Sequence, residues 1–325
     1  MDFGSILGVR LSRTTRVVSI GMSLSNPKLS CFGAYSVLLK DVARDVFVSR
    51  ELHWMFGGHE HTYYSCPGWY TMAQKTGSRT VEAVQTSLDI IDLLKKREGA
   101  GVTEIAEELN LSKGTVHAHI ATLAGNEYIV RSDSTYRLSL RHLELGETVR
   151  DRIEIYDVVS EELDDLSEEC GELAQFAMEE HGKAVYIYKA SGNNAVQTAS
   201  SAGRREYMHC ISLGKAMMAN MSQKRVESII DRHGLPEYTE STITSREELF
   251  DELETVEERG YAFDREEKIM GLRCVAAPVT TNGEVIGAIS ISGPASRFKG
   301  ERYEEDLPSM ITRSANVIEI NSQFS

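Results

Sequence analysis

The 325-residue chain lacks any apolar run near the ~20 residues needed to cross a bilayer, so a membrane-spanning helix is not expected. A secretory leader is not expected either. The apolar stretch Ile6-Leu7-Gly8-Val9 is too short, and Arg10, Arg13 and Arg16 break the sequence beyond it. Cysteine is sparse and scattered: Cys31, Cys66, Cys170, Cys210 and Cys274 include no CxxC pair, which argues against a zinc knuckle and against a disulfide framework. A reducing cytoplasm fits this usage. Positive charge is also in the minority, 35 Lys and Arg against 49 Asp and Glu, for a net charge of −14. Any contact with a polyanion must therefore come from a local basic surface rather than from the chain as a whole. The acids cluster late, in Glu161-Glu162, Asp164-Asp165, Glu168-Glu169 and Asp251 to Glu258, which read as solvated helix faces. Such an acid excess also suggests a salt-loving source, since surface acid is an adaptation to concentrated salt.

What is present is a soluble, globular composition, 41% hydrophobic and 26% charged, long enough for two domains and a tail. Residues 1–71 stand apart. They hold both tryptophans and show no sustained period of 2 or 3.6. Met72 opens a polar lead into the first helix, so this stretch is expected to be an over-extended gene start or a poorly ordered extension. His53, His59, His61 and Cys66 could ligate zinc, but their spacing matches no metal module, and no metal site or cofactor is expected.

Residues Thr103 to Leu123 carry the main functional signal. Ile105, Ala106 and Leu109 form one apolar stripe, with Thr103 placed to cap that helix. After the short turn Asn110-Leu111-Ser112, Ser112 caps a second helix in which Val116, Ile120 and Leu123 recur at helical spacing. Lys113, Thr115 and His117 then point outward. Two helices crossing at so short a turn form a helix-turn-helix, whose second helix can lie in a major groove with its N-terminal side chains at base edges. Before the pair, Val84, Leu88, Ile91 and Leu94 predict a third helix. After it, the alternating runs Tyr128 to Arg131 and Thr135 to Leu138, around Ser132-Asp133-Ser134, predict a hairpin. Arg131 and Arg137 on this wing are placed for phosphate contacts, which supply affinity rather than sequence readout.

Downstream, a helix from Ile153 to Cys170 carries the seam Ile155, Val158, Val159, Leu163 and Leu166, suited to a linker or to pairing with a second subunit. Strands are expected at 173–178, 185–188, 274–279 and 285–292, the last two joined across Asn282-Gly283, with helices at 213–221, 226–232, 245–259 and 306–320. The order suggests an α+β sensor domain with an antiparallel sheet.

The two halves together resemble the IclR family of transcriptional regulators over about residues 79–322. The resemblance rests on Tyr136-Arg137-Leu138-Ser139 through Leu145-Gly146 and on His209-Cys210-Ile211-Ser212-Leu213-Gly214-Lys215-Ala216. It continues in Arg259-Gly260-Tyr261-Ala262-Phe263-Asp264, Glu266-Glu267, Gly271 through Val279, and Ile289-Ser290-Ile291-Ser292-Gly293-Pro294. It implies a winged helix-turn-helix over 79–140, linker and dimerisation helices over 141–170, and a GAF-like effector-binding domain over 171–322. It further implies a homodimer or homotetramer acting on a double-stranded DNA operator, and an effector that is a small organic, sugar or aromatic acid.

By that resemblance the effector meets Ser212, Leu213, Asp264, Leu272, Cys274, Ser290 and Ser292. The helix and wing patterns offer Ser112, Lys113, Thr115, His117, Arg131 and Arg137 to DNA, together with His119, which reads either as a base contact or, more often for a histidine so placed, as a residue packed half-exposed against the core. Two positions depart from the family: Ala118 replaces an arginine common among relatives, and His119 falls where an apolar residue is usual. Enzymatic use of Cys274, His209 and Asp264 as nucleophile, base and orienter is not expected, because Cys274 begins an apolar strand. Two further alternatives keep the DNA module. One makes Cys210 and Cys274 a redox sensor, and the other gives the C-terminal domain only a role in oligomerisation.

Overall fold

A computed structural model describes residues 80–198 and 200–322. The candidate zinc ligands His53, His59, His61 and Cys66, and the expectation for residues 1–71, lie outside the described residues.

Three helices open the DNA module: α1 (Glu82–Arg97), α2 (Val102–Glu108) and α3 (Lys113–Gly125). They enclose one core of Ile90, Leu94, Ile105, Val116, Ile120 and Leu123. The stripe expected on α1 is only partly right. Leu94 is buried, but Val84 and Leu88 remain 55% and 51% exposed. The helix carries two apolar faces roughly a third of a turn apart, and Ile90, Leu93 and Leu94 are the ones that meet α2 and α3. Thr103 does not cap α2; Gly101 occupies that position, and its N–H donates to the Glu104 carboxylate at 2.7 Å. Ser112 caps α3 as expected, accepting from the Thr115 N–H at 3.0 Å. Strands β1 (Ile129–Ser132) and β2 (Thr135–Leu138) form the wing around the two-residue turn Asp133-Ser134.

Helix α4 (Arg141–Arg150) comes next with none of its residues buried, and α5 (Tyr156–Cys170) leads into the second core. There, β3 (Leu173–Glu180), β4 (Lys183–Ser191), β5 (Arg205–Tyr207), β6 (Ala262–Arg265), β7 (Leu272–Thr281) and β8 (Glu284–Pro294) make a fully antiparallel sheet in the order β5-β4-β3-β8-β7-β6. The β7–β8 turn is Asn282-Gly283, both at positive φ (54° and 80°), the backbone a tight right-twisting hairpin requires.

Alternation assigns the two faces of the sheet. Val275, Ala277, Val279, Ile289 and Ile291 pack against α5 and the closing helix α9 (Leu307–Ser322). The small residues Ala177, Ala276 and Ala288 face α6 (Ser212–Ala219), α7 (Gln223–His233) and α8 (Arg246–Arg259). The α5 seam is therefore filled from within the chain: Val159, Leu163 and Leu166 are at most 1% exposed, and the part of it expected to pair with a second subunit is not free to do so. The apolar residues left exposed lie on α4 and beside it, with Leu140 at 81%, Leu143 at 65% and Val149 at 62%.

Candidate effector pocket and DNA-reading surface

The sheet register builds the pocket. Asp264 pairs with Cys274, and Cys274 with Ser292, so three candidate side chains stand side by side across β6, β7 and β8. One step along, Gln175, Ser290 and Ala276 form the adjacent row, and the alanine leaves room above the sheet. The remaining wall is the start of α6. Gly214 allows this helix to approach: a Cβ there would sit 2.1 Å from the Met208 carbonyl oxygen. Ile211, at the N-cap position of α6, supplies no side-chain cap, so the first N–H groups of the helix are left to whatever occupies the cavity.

Ser212, Leu213, Asp264, Leu272, Cys274, Ser290 and Ser292 all line one cavity of about 90 Å³. The structure adds residues that sequence reasoning missed: Gln175, Tyr186, Thr198, Ser200, Arg204, Glu206 and Lys268. Gln175 accepts from Ser292 Oγ and donates to Ser200 Oγ at 2.7 Å, which continues to Thr198 Oγ1 at 2.6 Å. Lys268 spans to Glu206 at 2.8 Å beside Arg204, joining the loop after β6 to β5. Burial alone would raise Glu206, but the bonds from Lys268 and Arg204 win and hold it below the ordinary carboxylate range. Ser290 is 1% exposed, and its Oγ has no hydrogen-bond partner among the described residues. A buried polar atom in that state is costly unless a ligand completes it.

Asp264 is buried, and desolvation together with the neighbouring Glu267 charge pushes it up to about 7. Burial likewise raises the thiols, Cys274 well above its ordinary value and Cys210 to about 12, so neither is poised as a reactive thiolate. His209 Nε2 donates to the Pro236 carbonyl at 3.1 Å, and burial lowers the basicity of the ring. No hydrogen bond links it to Cys274 or Asp264 among the described residues, so the nucleophile, base and orienter are not assembled. Among those residues, no cluster of three or more metal-ligating groups occurs.

On the DNA module, Ser112, Lys113, Thr115 and His117 are exposed together on the first turns of α3. His119 does not join them. It is half-buried, and its Nδ1 meets Ser87 Oγ of α1 at 2.8 Å, so it ties two helices together instead of facing a groove. Arg131 and Arg137 are both exposed, but Arg131 pairs across from Tyr136 and Arg137 from Val130. They therefore stand on opposite faces of the ribbon, one on each flank of the wing.

A winged helix-turn-helix joined to an α+β domain with a cavity on one face of its sheet defines a class of DNA-binding regulators. The comparisons with known proteins make this specific: the family described as "Bacterial transcriptional regulator IclR C-terminal" matches residues 147–320, and the "IclR helix-turn-helix domain" matches residues 83–133. The chain belongs to the IclR family of transcriptional regulators. It is 29% identical over 247 residues to the probable HTH-type transcriptional regulator ArcR of Halobacterium salinarum, covering 74% of this chain and 94% of that one. It is 32% identical to the HTH-type transcriptional regulator XynR of Escherichia coli, covering 67% and 88%. Among solved structures, Thermotoga maritima IclR is similar at 27% identity with a TM-score of 0.63, covering 74% of this chain and 98% of that one. Members of this family are DNA-binding regulators with a C-terminal effector-binding domain. No helix among the described residues is long and apolar enough to cross a membrane.

Proposed function

We propose that this protein is a cytoplasmic regulator whose operator binding is set by a small carboxylic acid held between α6 and the sheet. The observation that carries the reading is Ser290, a buried hydroxyl without a partner among the described residues, lining the same cavity as the uncapped start of α6. The ligand carboxylate would sit at the Ser212 and Leu213 N–H groups, its further oxygens would meet Ser290 and Ser292, and Leu213, Leu272 and Cys274 would form the apolar wall. Size narrows the choice among organic, sugar and aromatic acids. A cavity of about 90 Å³ is smaller than the ~150 Å³ that accepts benzene, which favours an acid of roughly four carbons or fewer.

Two copies would bring two α3 helices to the half-sites of a partly palindromic operator. The exposed apolar residues Val84 and Leu88 on α1 and Leu140, Leu143 and Val149 around α4 support a homodimer through these two helices, because a ten-residue helix with no buried residue is unstable alone. Acid binding about Asp264 and Ser290 would shift the population of module spacings through α5 and α4, with a coupling of about 1 to 3 kcal/mol. The acid excess and the Halobacterium relative support a salt-loving source. The redox reading through Cys210 and Cys274 is disfavoured by their burial.

The test is fluorescence anisotropy of the full chain on its own upstream DNA, across salt concentrations, with pyruvate, lactate, sugar acids and aromatic acids. Specific binding altered by one acid supports the reading. Specific binding indifferent to every acid would leave the C-terminal domain with a purely oligomeric role.

A further inference from the structure

In the pocket wall, Asp264 lies beside Glu267, and of these two carboxyls only Glu267 has a cation at ion-pair distance among the described residues. Asp264 is 2% exposed and Glu267 6%, and the Glu267 N–H donates to Asp264 Oδ1 at 2.8 Å. Lys215, 1% exposed on α6, reaches Glu267 Oε1 at 2.6 Å and the Glu252 carboxylate of α8 at 3.4 Å. The lysine is committed away from Asp264, and no cation lies within ion-pair distance of that carboxyl among the described residues. The other groups facing it do not supply one. Cys274 approaches from β7, Tyr186 from β4, Tyr303 from the turn before α9 and Cys210 from the segment before α6, while Lys268 is held by Glu206.

With Glu252 paired to Arg259 at 3.0 Å as well as to Lys215, three carboxylates face two cations, so the group carries a net negative charge unless one carboxyl keeps its proton, and burial favours the neutral arrangement. The hydrogen bonds decide which carboxyl that is. Lys215 donates to Glu267 Oε1 at 2.6 Å and, among the described residues, to neither oxygen of Asp264, which leaves Asp264 as the carboxyl without a compensating cation and the one to keep the proton. Resting on the reading of the cavity as an effector site, we propose that Asp264 meets its ligand as a neutral carboxylic acid that donates its O–H to an anionic oxygen. The pocket would then select small acid anions, and would close to them when Asp264 ionises. This accounts for an acidic side chain in a pocket otherwise suited to anions: Asp264 O–H, Ser290 O–H and the first α6 N–H groups are then all donors. The shift of Asp264 toward 7 places the change within the physiological range. A neutral polyol would bind with little dependence on pH, and an amine would bind better as pH rises.

The experiment uses the full chain labelled with ¹³C at the aspartate side-chain carboxyls, monitored by infrared spectroscopy from roughly pH 5 to pH 9. The expected result is one isotope-shifted carboxylic-acid band that outlasts the ordinary aspartates and disappears with a midpoint near 7. Asp264→Asn should remove that band. Should this variant fail to fold, the label still decides, because the same band found with labelled glutamate and missing with labelled aspartate would take the proton off Asp264 and overturn the proposal. Absence of any late band with labelled aspartate overturns it too. In parallel, thermal shifts of the unlabelled chain with pyruvate and lactate should give an affinity falling about tenfold per pH unit above the midpoint, and a flat profile would overturn the proposal. A band that titrates as expected, with neither these acids nor sugar or aromatic acids binding at any pH, would refute the effector reading rather than the protonated aspartate.

Discussion

Replacing Ser290 with alanine should make the protein more stable and less responsive at once. The Ser290 hydroxyl is buried on β8 with no partner among the described residues, while its cross-strand neighbours Gln175 and Ala276 are satisfied or apolar. An unsatisfied buried hydroxyl costs about 1–3 kcal/mol of desolvation. Removing one oxygen returns most of that and forfeits only a few dispersion contacts, so Ser290→Ala should gain about 1 kcal/mol. For a domain of this size the thermal midpoint would rise by roughly 2–4 °C. The same substitution removes a donor to the ligand anion, a charge-assisted bond worth about 1.5–3 kcal/mol, or roughly 10- to 100-fold in acid affinity. Differential scanning calorimetry without added acid measures the first effect, and titration with the responsive acid measures the second. A variant that loses more than about 1 kcal/mol of stability while keeping its acid response would refute the reasoning, since Ser290 would then be a satisfied structural hydroxyl.

Other parts of the chain give three more expected outcomes. Lys113→Ala and Arg137→Ala should each weaken DNA binding on all sequences and lower the log–log salt slope by about 0.9, whereas His119→Ala should lower the thermal midpoint and leave the salt slope unchanged. Leu143→Glu, at a position 65% exposed on a helix with no buried residues, should shift the sedimentation profile to monomer without changing far-ultraviolet circular dichroism. Asp264 gives a pH dependence of stability whose sign comes from its raised value, about 7 in the fold against 3.8 ordinarily. The native state keeps a proton that the unfolded chain has lost, so the contribution is largest near pH 4. It falls by roughly 4 kcal/mol as pH rises through the folded value and is flat above it, and chemical denaturation of Asp264→Asn should lack this slope.

The two reading helices were legible because their apolar spacing, their polar turn and the Ser112 cap all agree. On α1 the pattern misled, since Val84, Leu88 and Ile91 make as good a stripe as Ile90 and Leu94, and spacing alone does not distinguish the face that meets the core from one left for another chain. The edge strands β5 and β6, three and four residues long, are too short for alternation to register, and neither was expected. The sheet side of the cavity was reached through the family motifs. Gln175, Thr198, Ser200 and Lys268 were not: the strand holding Gln175 was expected but not which of its side chains meets the cavity, and the other three lie in irregular segments with no local pattern of their own. Burial of the α5 seam was likewise invisible, as an amphipathic helix reads the same whether it covers its own sheet or a partner.

The wing is fastened along β2, close to its turn. Ala100, just ahead of α2, exchanges both backbone bonds with Tyr136, its N–H donating at 3.0 Å and its carbonyl accepting at 2.8 Å. The ribbon is thereby a third line of hydrogen bonds on the same frame that carries α2 and α3, and its arginines cannot shift relative to the groove-reading helix without breaking that frame. A regulator built this way has little scope for retuning the fit of one module to one half-site. In the proposed homodimer the adjustable quantity would be the distance and twist between two rigid readers, and the length of the spacer in the operator would then carry as much regulatory information as the bases on either side.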